Sequence, residues 1–248
     1  MIEVRDLRKS FGTHPVLEGV SFTIEKGESV VIIGASGGGK SVLLRHIIGL
    51  VQPDDGEVII DGEKITRMNE RELIRVRRKF GMLFQSAALF DSMTVAENVA
   101  FVLRREGKMG ADEILRRVNE TLEMVDLGGT QEKKPAELSG GMRKRVGLAR
   151  AIIYQPEILL YDEPTTGLDP IVSDSIDHLI LRVVEKLCVT SIVVTHDMRT
   201  ARRVGKKIMM LHEGRIYVEG SPEEIFQSKD PVVHRFVNGI SDPKEHNF

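Results

Sequence analysis

The sequence predicts an α/β fold with a helical segment inserted between two regions in which strands and helices alternate. Three observations support this prediction: a strand that leads through a glycine-rich loop into a helix, two short hairpins, and a long middle stretch with helical periodicity. The chain has 248 residues, of which 41% are hydrophobic, and this is sufficient for a substantial core.

The strand-to-helix transition near the N-terminus carries the most specific motif. Val30–Ile33 is a short apolar run typical of a buried strand, and apolar residues recur at helical spacing up to Gly49. Between them Gly34–Ser41 fits the phosphate-binding pattern G-x-x-x-x-G-K-[ST]. Such a loop aims backbone N–H groups and a helix N-terminus at one point. We therefore expect Lys40 near the β- and γ-phosphates and the Ser41 hydroxyl on Mg²⁺.

The spacing of hydrophobic residues predicts the other elements. Residues 1–85 are predicted to form strands around the loop, and helical periodicity dominates from Glu70 to about Arg150. Strands and helices alternate again from Pro156. The predicted elements are a strand at 1–7, a turn at 53–56, a hairpin at 58–65, strands at 158–161 and 191–194, and a hairpin at 209–218.

Polar residues directly follow three of the predicted strands. The phosphate loop follows the first, Asp162 and Glu163 follow the second, and His196 follows the third. In open α/β sheets the ligand crevice lies beyond the carboxyl ends of the strands, so we expect these segments to converge on the phosphates. Asp162 would orient water or the Ser41 side chain around Mg²⁺. Glu163 would polarise the water that attacks the γ-phosphate.

Two further polar residues have less distinctive surroundings. His196 is predicted to hydrogen-bond the γ-phosphate, although an ordinary histidine at a strand end is the alternative. Gln85 follows the strand-like run 81–84 and has the amide needed to contact metal or water. An Asp-Glu pair can likewise serve only to cap a strand, and the preceding apolar run with the phosphate loop favours the functional interpretation.

A second helix start with glycines lies at Leu138–Met142. Ser139 is a good N-cap, and residues 143–152 are predicted to continue as a helix. The glycines allow close backbone approach, so this is a second anion-binding helix start. One nucleotide does not need two such sites on distant segments, and we therefore expect the nucleotide to lie between two subunits.

In order along the chain, these motifs resemble those of the nucleotide-binding subunit of an ABC transporter. The motifs are Phe11, Gly34–Ser41, Gln85, Leu138–Gly141, Tyr161–Glu163, Gly167–Asp169 and His196. The resemblance covers essentially the whole chain and implies a phosphate-loop ATPase with a mixed sheet, an antiparallel N-terminal β-subdomain and an inserted helical subdomain. The implied boundaries within a single domain, 1–248, are a core at 1–85 and 151–229, a helical subdomain at 86–150 and a tail at 230–248.

The resemblance also implies roles in binding ATP. Phe11 would stack on adenine, and Asp169 would cross the dimer interface. The residues implied to bind phosphates and Mg²⁺ are Gly34, Ser36, Gly37, Gly38, Gly39, Lys40 and Ser41. The residues implied to contact the ATP of a partner copy are Ser139, Gly140 and Gly141.

For hydrolysis, the resemblance implies that Glu163 is the catalytic base and that His196 contacts the γ-phosphate. Gln85 would share the Mg²⁺ ion with Ser41 and couple the site to the membrane subunit. Asp162 would hold the waters around the ion.

Two departures narrow the family. Val42 stands at the phosphates where most members carry Thr, so one hydroxyl is lost, and Met142 stands where most carry Gln. With the segments 81–95 and 235–242, these residues resemble the ATPase of Mce-type (Mla) phospholipid transporters, which maintain outer-membrane lipid asymmetry in diderm bacteria. That resemblance implies a peripheral ATPase on the cytoplasmic face of the inner membrane. Its partners would be a second copy, a permease, an Mce-domain lipid-binding protein and in many systems a small STAS-like subunit.

Composition argues against several other classes of protein. No apolar run approaches the roughly 18–20 residues that cross a bilayer, and residues 1–7 alternate like a strand rather than a signal peptide. Cys188 is the only cysteine, which suits a reducing compartment. The net charge of −2 and the absence of Trp predict no nucleic-acid partner. The basic clusters 71–79, 143–145 and 199–207 are expected to be solvated helix faces.

Two segments are predicted to dock on other proteins, and two rival functions stay open. Ser86–Val102 would receive a permease helix or form the core of the helical subdomain. A helix that begins at Asp230-Pro231 would dock through Val232, Val233 and Phe236, and a frayed terminus is the alternative. An ABC ATPase of another import or export system would share every ATP-binding residue. A non-transport ABC scaffold ATPase, such as one for iron–sulfur assembly, is the second rival. An ABC ATPase of DNA repair or translation is disfavoured, because such proteins usually have a long coiled coil or two ATPase halves and this sequence shows neither.

Overall fold

The computed structural model describes residues 1–241, and the chain divides into two compact units. The first unit combines Met1–Arg77 with the residues from Ile192 onward, and the second is Arg78–Ser191. Of the predicted tail at 230–248, residues 242–248, which include Asp242, lie outside the described residues. No helix within residues 1–241 is long and apolar enough to cross a membrane.

Strands and helices alternate along the chain, as the sequence predicts. The strands are β1 (Ile2–Phe11), β2 (His14–Ile24), β3 (Ser29–Ile33), β4 (Asp55–Ile60), β5 (Glu63–Lys64), β6 (Phe80–Leu83), β7 (Ile158–Asp162), β8 (Thr190–Thr195), β9 (Lys207–His212) and β10 (Arg215–Gly220). The α-helices are α1 (Lys40–Ile47), α2 (Glu70–Arg77), α3 (Val95–Glu106), α4 (Ala111–Met124), α5 (Gly140–Ile152), α6 (Pro170–Leu187), α7 (Met198–Val204), α8 (Pro222–Phe226) and α9 (Pro231–Asn238).

The first unit contains an antiparallel sheet and a mixed sheet. The antiparallel sheet has the order β2-β1-β4-β5. In the mixed sheet β3 lies between β8 and β9, runs parallel to β9, and β9 pairs antiparallel with β10. Every residue of β3 is buried, which is typical of a strand covered on both faces. The predicted α/β class with a mixed sheet and an antiparallel N-terminal sheet is confirmed.

The predicted turn at 53–56 is shorter in the structure because β4 already begins at Asp55. Asp55 lies opposite Arg8 in the ladder with β1, and the register shifts between Arg5 and Arg8. Gly56 sits beside this irregularity with φ +87, and a Cβ there would lie 2.3 Å from the carbonyl oxygen of Asp6. Gly56, which in the sequence indicates a turn, is therefore required in the structure by a β-bulge.

The second unit contains the parallel pair β6 and β7 with four helices, α3–α6. Strand β6 interrupts the stretch in which helical periodicity dominates. Helix α3 begins with a capping box between Thr94 and Glu97 and ends at Gly107, which has φ +63. Ser139 caps α5, as predicted, through a hydrogen bond from the Met142 N–H to its Oγ at 3.2 Å.

Candidate functional site

In the first unit, the loop predicted to bind phosphate joins β3 to α1. Gly39 precedes the helix with φ +93, and a Cβ there would lie 3.0 Å from Val16 Cγ1. A Cβ on Gly34 would lie only 2.4 Å from the carbonyl oxygen of Leu211. Larger residues at either position would therefore distort the loop.

Lys40 is fixed within this loop although its side chain is charged. The residue is 5% exposed, and its Nζ donates to the carbonyl oxygens of Gly34 at 2.8 Å and Ala35 at 3.0 Å. Its ammonium therefore lies at the helix N-terminus, where the backbone N–H groups of α1 also favour an anion.

A cavity of about 870 Å³ opens beside the phosphate loop within the first unit. Its lining includes Val16, Gly37, Gly38, Glu213 and Tyr217. A Cβ on Gly37, which has φ +77, would meet no atom within 4 Å. The open backbone at Gly37 and Gly38 belongs to the same loop as the Lys40 ammonium, so this loop has the space and the charge that a triphosphate needs.

Three other predicted site residues belong to the first unit. Phe11 ends β1 and is 51% exposed, so a ring face is available for stacking. His196 follows β8 and is exposed, directly before Asp197, whose side chain caps α7. Val42 is half-buried in α1, and its carbonyl oxygen lies 2.7 Å from His46 Nδ1. Burial is the main cause that lowers the pKa of His46.

In the second unit, Asp162 and Glu163 stand together at the end of β7. They are 4% and 7% exposed, and Glu163 has φ +49. The Thr166 hydroxyl donates to Glu163 Oε2 at 3.0 Å, which orients that carboxylate. Two adjacent buried carboxyl groups, one of them held by a hydroxyl, suit metal hydration and proton abstraction.

Within the second unit, the helix start predicted at Leu138–Met142 contacts the helix start at Asp169. Asp169 caps α6 by accepting hydrogen bonds from the N–H groups of Ile171 and Val172, both at 3.0 Å. A Cβ on Gly141, in the first turn of α5, would lie 2.5 Å from Val172 Cγ1. The exposed Ser139 and the exposed Asp169 thus mark two helix starts that pack together.

Lys144 is a site residue that the sequence-based reasoning missed. We expected 143–145 to be a solvated helix face, and this is wrong for Lys144, which is 5% exposed. Its Nζ donates to the carbonyl oxygens of Gln85 at 2.6 Å and Glu163 at 3.0 Å. Burial lowers its pKa to about 8, although the charges of Asp162 and Glu163 act to raise it.

The signal that could have revealed this burial is helical spacing. Lys144 lies on the face of α5 that also carries Gly141 and Leu148, both of which are buried. Arg143 is exposed, as predicted, whereas Arg145 is half-buried and pairs with Asp126 at 2.6 Å. Gln85 itself is exposed immediately after β6.

Comparison with known proteins identifies the family. A protein-family profile described as "ABC transporter" matches residues 17–166. The probable ribonucleotide transport ATP-binding protein mkl of Mycobacterium tuberculosis is 44% identical over 238 residues, covering 96% of this chain and 66% of that protein. Protein TRIGALACTOSYLDIACYLGLYCEROL 3, chloroplastic, of Arabidopsis thaliana is 44% identical over 258 aligned residues, covering 98% of this chain and 74% of that protein.

A third relative is named for a different cargo. The methionine import ATP-binding protein MetN of Carboxydothermus hydrogenoformans is 44% identical over 225 residues, covering 90% of this chain and 66% of that protein. The chain thus spans 66% of the length of the mkl protein and of this MetN protein.

Solved structures agree with the profile. A dimeric ATP-binding cassette in a post-hydrolysis state with ADP and Pi has a TM-score of 0.82 and 36% sequence identity. That match covers 90% of this chain and 99% of that cassette. The predicted resemblance is therefore confirmed: the chain belongs to the ABC transporter family and carries the ATPase domain of its ATP-binding subunits.

Proposed function

We propose that this chain is the ATP-hydrolysing subunit of an ABC transporter that moves phospholipid between the inner and outer membranes through a separate permease. The observation that carries the ATPase part is the phosphate loop, in which a buried Lys40 lies at the start of α1 and in which Gly37 and Gly38 line an open cavity. The lipid part is supported by the departures at Val42 and Met142. It is also supported by a relative named for a galactolipid.

The chain's own residues would divide the work of hydrolysis. Backbone N–H groups of the loop and the Lys40 ammonium bind the phosphates, and Phe11 stacks on adenine. Glu163 accepts a proton from the attacking water, while His196 hydrogen-bonds the γ-phosphate. The Glu163 carboxylate is kept in one orientation because Glu163 is buried and accepts a hydrogen bond from the Thr166 hydroxyl.

The residues proposed for Mg²⁺ fit the ion by the chemistry of their donor atoms. Ser41 offers a hydroxyl, Gln85 an amide oxygen, and Asp162 a buried carboxylate that can hold coordinated water. Oxygen donors of this kind, with retained waters, are the usual surroundings of Mg²⁺ in nucleotide sites. When bound, the ion neutralises charge on the phosphates.

A second copy of the chain would complete the ATP site. Ser139 caps a 13-residue helix that begins with Gly140 and Gly141, and such a start can bind the γ-phosphate of a partner's ATP. Asp169 lies beside that start and would cross the dimer interface. The dimeric cassette with a similar fold supports this arrangement.

Membrane partners would supply the transport path. We place the subunit on the cytoplasmic face of the inner membrane, with a permease helix on Ser86–Val102, where Phe90 is 42% exposed. An aromatic residue of this kind is a suitable anchor for a partner. An Mce-domain lipid-binding protein and a small STAS-like subunit complete the proposed assembly.

Hydrolysis is tested with Glu163→Gln in the purified full-length chain. Removal of a positioned base is expected to lower kcat by about 10²–10⁴-fold while ATP is still bound. Wild-type turnover in this variant would contradict the role of Glu163.

Cargo is tested by purifying the chain with its bound membrane proteins from detergent-solubilised membranes. We expect a permease and an Mce-domain protein to co-purify, with phospholipid identified by mass spectrometry. ATPase stimulation by a free amino acid, in a complex without lipid, would instead favour import of a small solute, as the name of the MetN relative suggests.

A further inference from the structure

Lys144 is a buried cation at a position where an uncharged side chain could fill the same space. Its side chain is 5% exposed, and its Nζ donates to the carbonyl oxygens of Gln85 at 2.6 Å and Glu163 at 3.0 Å. Taking an ammonium out of water is costly unless protein acceptors replace the water. An unbranched apolar residue would fill the same volume without that cost, so the charge is explained by the groups that it holds.

Both acceptors belong to backbone that needs support. Glu163 has φ +49, a left-handed conformation that a residue with a Cβ adopts at a cost. Just beyond Gln85, Ala87 and Ala88 have φ +60 and +48. Hydrogen bonds from a cation are stronger than those from a neutral donor, and Lys144 gives one to each region.

Helix α5 supports the turn after β6 at a second point. Arg150 donates to the carbonyl oxygens of Ala88 at 2.7 Å and Ala87 at 2.9 Å. Lys144 and Arg150 therefore hold three carbonyls of the segment 85–88 from one helix. Of these two cations, Lys144 also reaches the carbonyl of Glu163.

We infer that Lys144 is a positioning residue for ATP hydrolysis, because it ties the backbone of Glu163 and of Gln85 to the helix that begins at Ser139. A displacement of α5 is transmitted to both carbonyls through one side chain. The Glu163 carboxylate is then aligned for proton abstraction only while α5 is in place. This inference rests on the proposed role of Glu163 in hydrolysis.

The test compares kcat and KM for MgATP in the full-length chain. Lys144→Met removes both hydrogen bonds and keeps a long unbranched side chain. We expect kcat to fall roughly 10–100-fold, as small misplacements of catalytic groups do. KM should change by less than about threefold, because the nucleotide-binding loop is left intact. Lys144→Arg should recover most of the lost turnover, since a guanidinium can also donate to two carbonyls.

Arg145→Met is the matched control. Arg145 is the next residue of α5, and it donates to the carbonyl oxygen of Val125 and to Ser175 without contacting Gln85 or Glu163 in the described structure. We expect this variant to lower the melting temperature but to keep kcat within about threefold of the wild-type value. An equal loss of kcat in Arg145→Met would show that general loosening of α5 is responsible, and would overturn the inference.

Two further results decide the remaining cases. If Lys144→Met does not fold, Lys144→Gln takes its place, because the shorter glutamine side chain cannot span both carbonyls. Full turnover in either variant overturns the inference. Glu163→Gln is measured in parallel. Full activity of Glu163→Gln would refute the proposed role of Glu163 in hydrolysis, on which this inference rests, whereas an inactive Glu163→Gln beside a fully active Lys144→Met would refute this inference alone.

Discussion

Gly141 and Val172 are so close that a Cβ on the glycine would lie 2.5 Å from Val172 Cγ1. Gly141→Ala should therefore lower the free energy of unfolding by about 1–3 kcal/mol, as overpacking does. Adding Val172→Ala should restore part of this loss, because the two sites are coupled. Urea unfolding measures both effects. Gly128→Ala is the control, since a Cβ there would meet its nearest neighbour at an ordinary 3.6 Å.

The hydroxyl of Tyr161 is buried and has no hydrogen-bond partner among the described residues. Tyr161→Phe should leave the free energy of unfolding unchanged or raise it by up to about 1 kcal/mol, because an unsatisfied polar group is removed. The comparison is Tyr154→Phe, whose hydroxyl donates to the carbonyl oxygen of Phe80. The free energy of unfolding of Tyr154→Phe should be lower than that of the wild type by about 1–2 kcal/mol. A larger loss in Tyr161→Phe than in Tyr154→Phe would contradict this account.

His46 makes stability depend on pH below neutrality. Its pKa is lowered by burial, so the unfolded chain binds a proton at a higher pH than the folded chain does. Above the unfolded pKa of about 6.5, protonation of His46 therefore does not reduce the free energy of unfolding. Below it, the free energy of unfolding falls as the pH drops toward the folded pKa.

The slope from this one group cannot exceed about 1.4 kcal/mol per pH unit. His46→Leu should flatten the dependence of the melting temperature on pH below about pH 6.5. Identical pH profiles for His46→Leu and the wild type would assign the effect to other groups.

Thr166 is expected to assist Glu163 through its hydrogen bond to Oε2 at 3.0 Å. Thr166→Val should lower kcat about tenfold, the equivalent of one hydrogen bond, and less than Glu163→Gln does. Steady-state ATPase assays measure the difference. Thr130→Val removes a hydroxyl that donates to the carbonyl of Leu127 and should leave kcat unaltered.

The sequence predicted those features that depend on neighbouring residues. The strand before Gly34, the cap at Ser139 and the hairpin turn at Glu213-Gly214 are all present, because strand runs, caps and turns are set by short-range chemistry. The helix after Asp230 is also present, with that carboxylate accepting from two backbone N–H groups.

Features that depend on distant contacts were missed. Helix α9 buries Val233 and Val237, whereas Val232 and Phe236 are only half-buried, because the neighbouring elements decide which side of the helix is covered. Lys144 was assigned to a solvated face because its carbonyl acceptors lie 59 and 19 residues away in the sequence. A single sequence gives no direct sign of such acceptors, so a buried lysine looks like any other basic residue.

Because Gly34 lies close to Leu211, the β9–β10 hairpin is a suitable place for a label that reports nucleotide binding. Glu213, at the tip, lines the same cavity as Gly37, and its side chain is 87% exposed. Because Cys188 is the only thiol, a Cys188→Ser chain with Glu213→Cys would accept one fluorophore at that tip. Its emission would then report occupancy of the phosphate loop in real time, without any change to the loop itself.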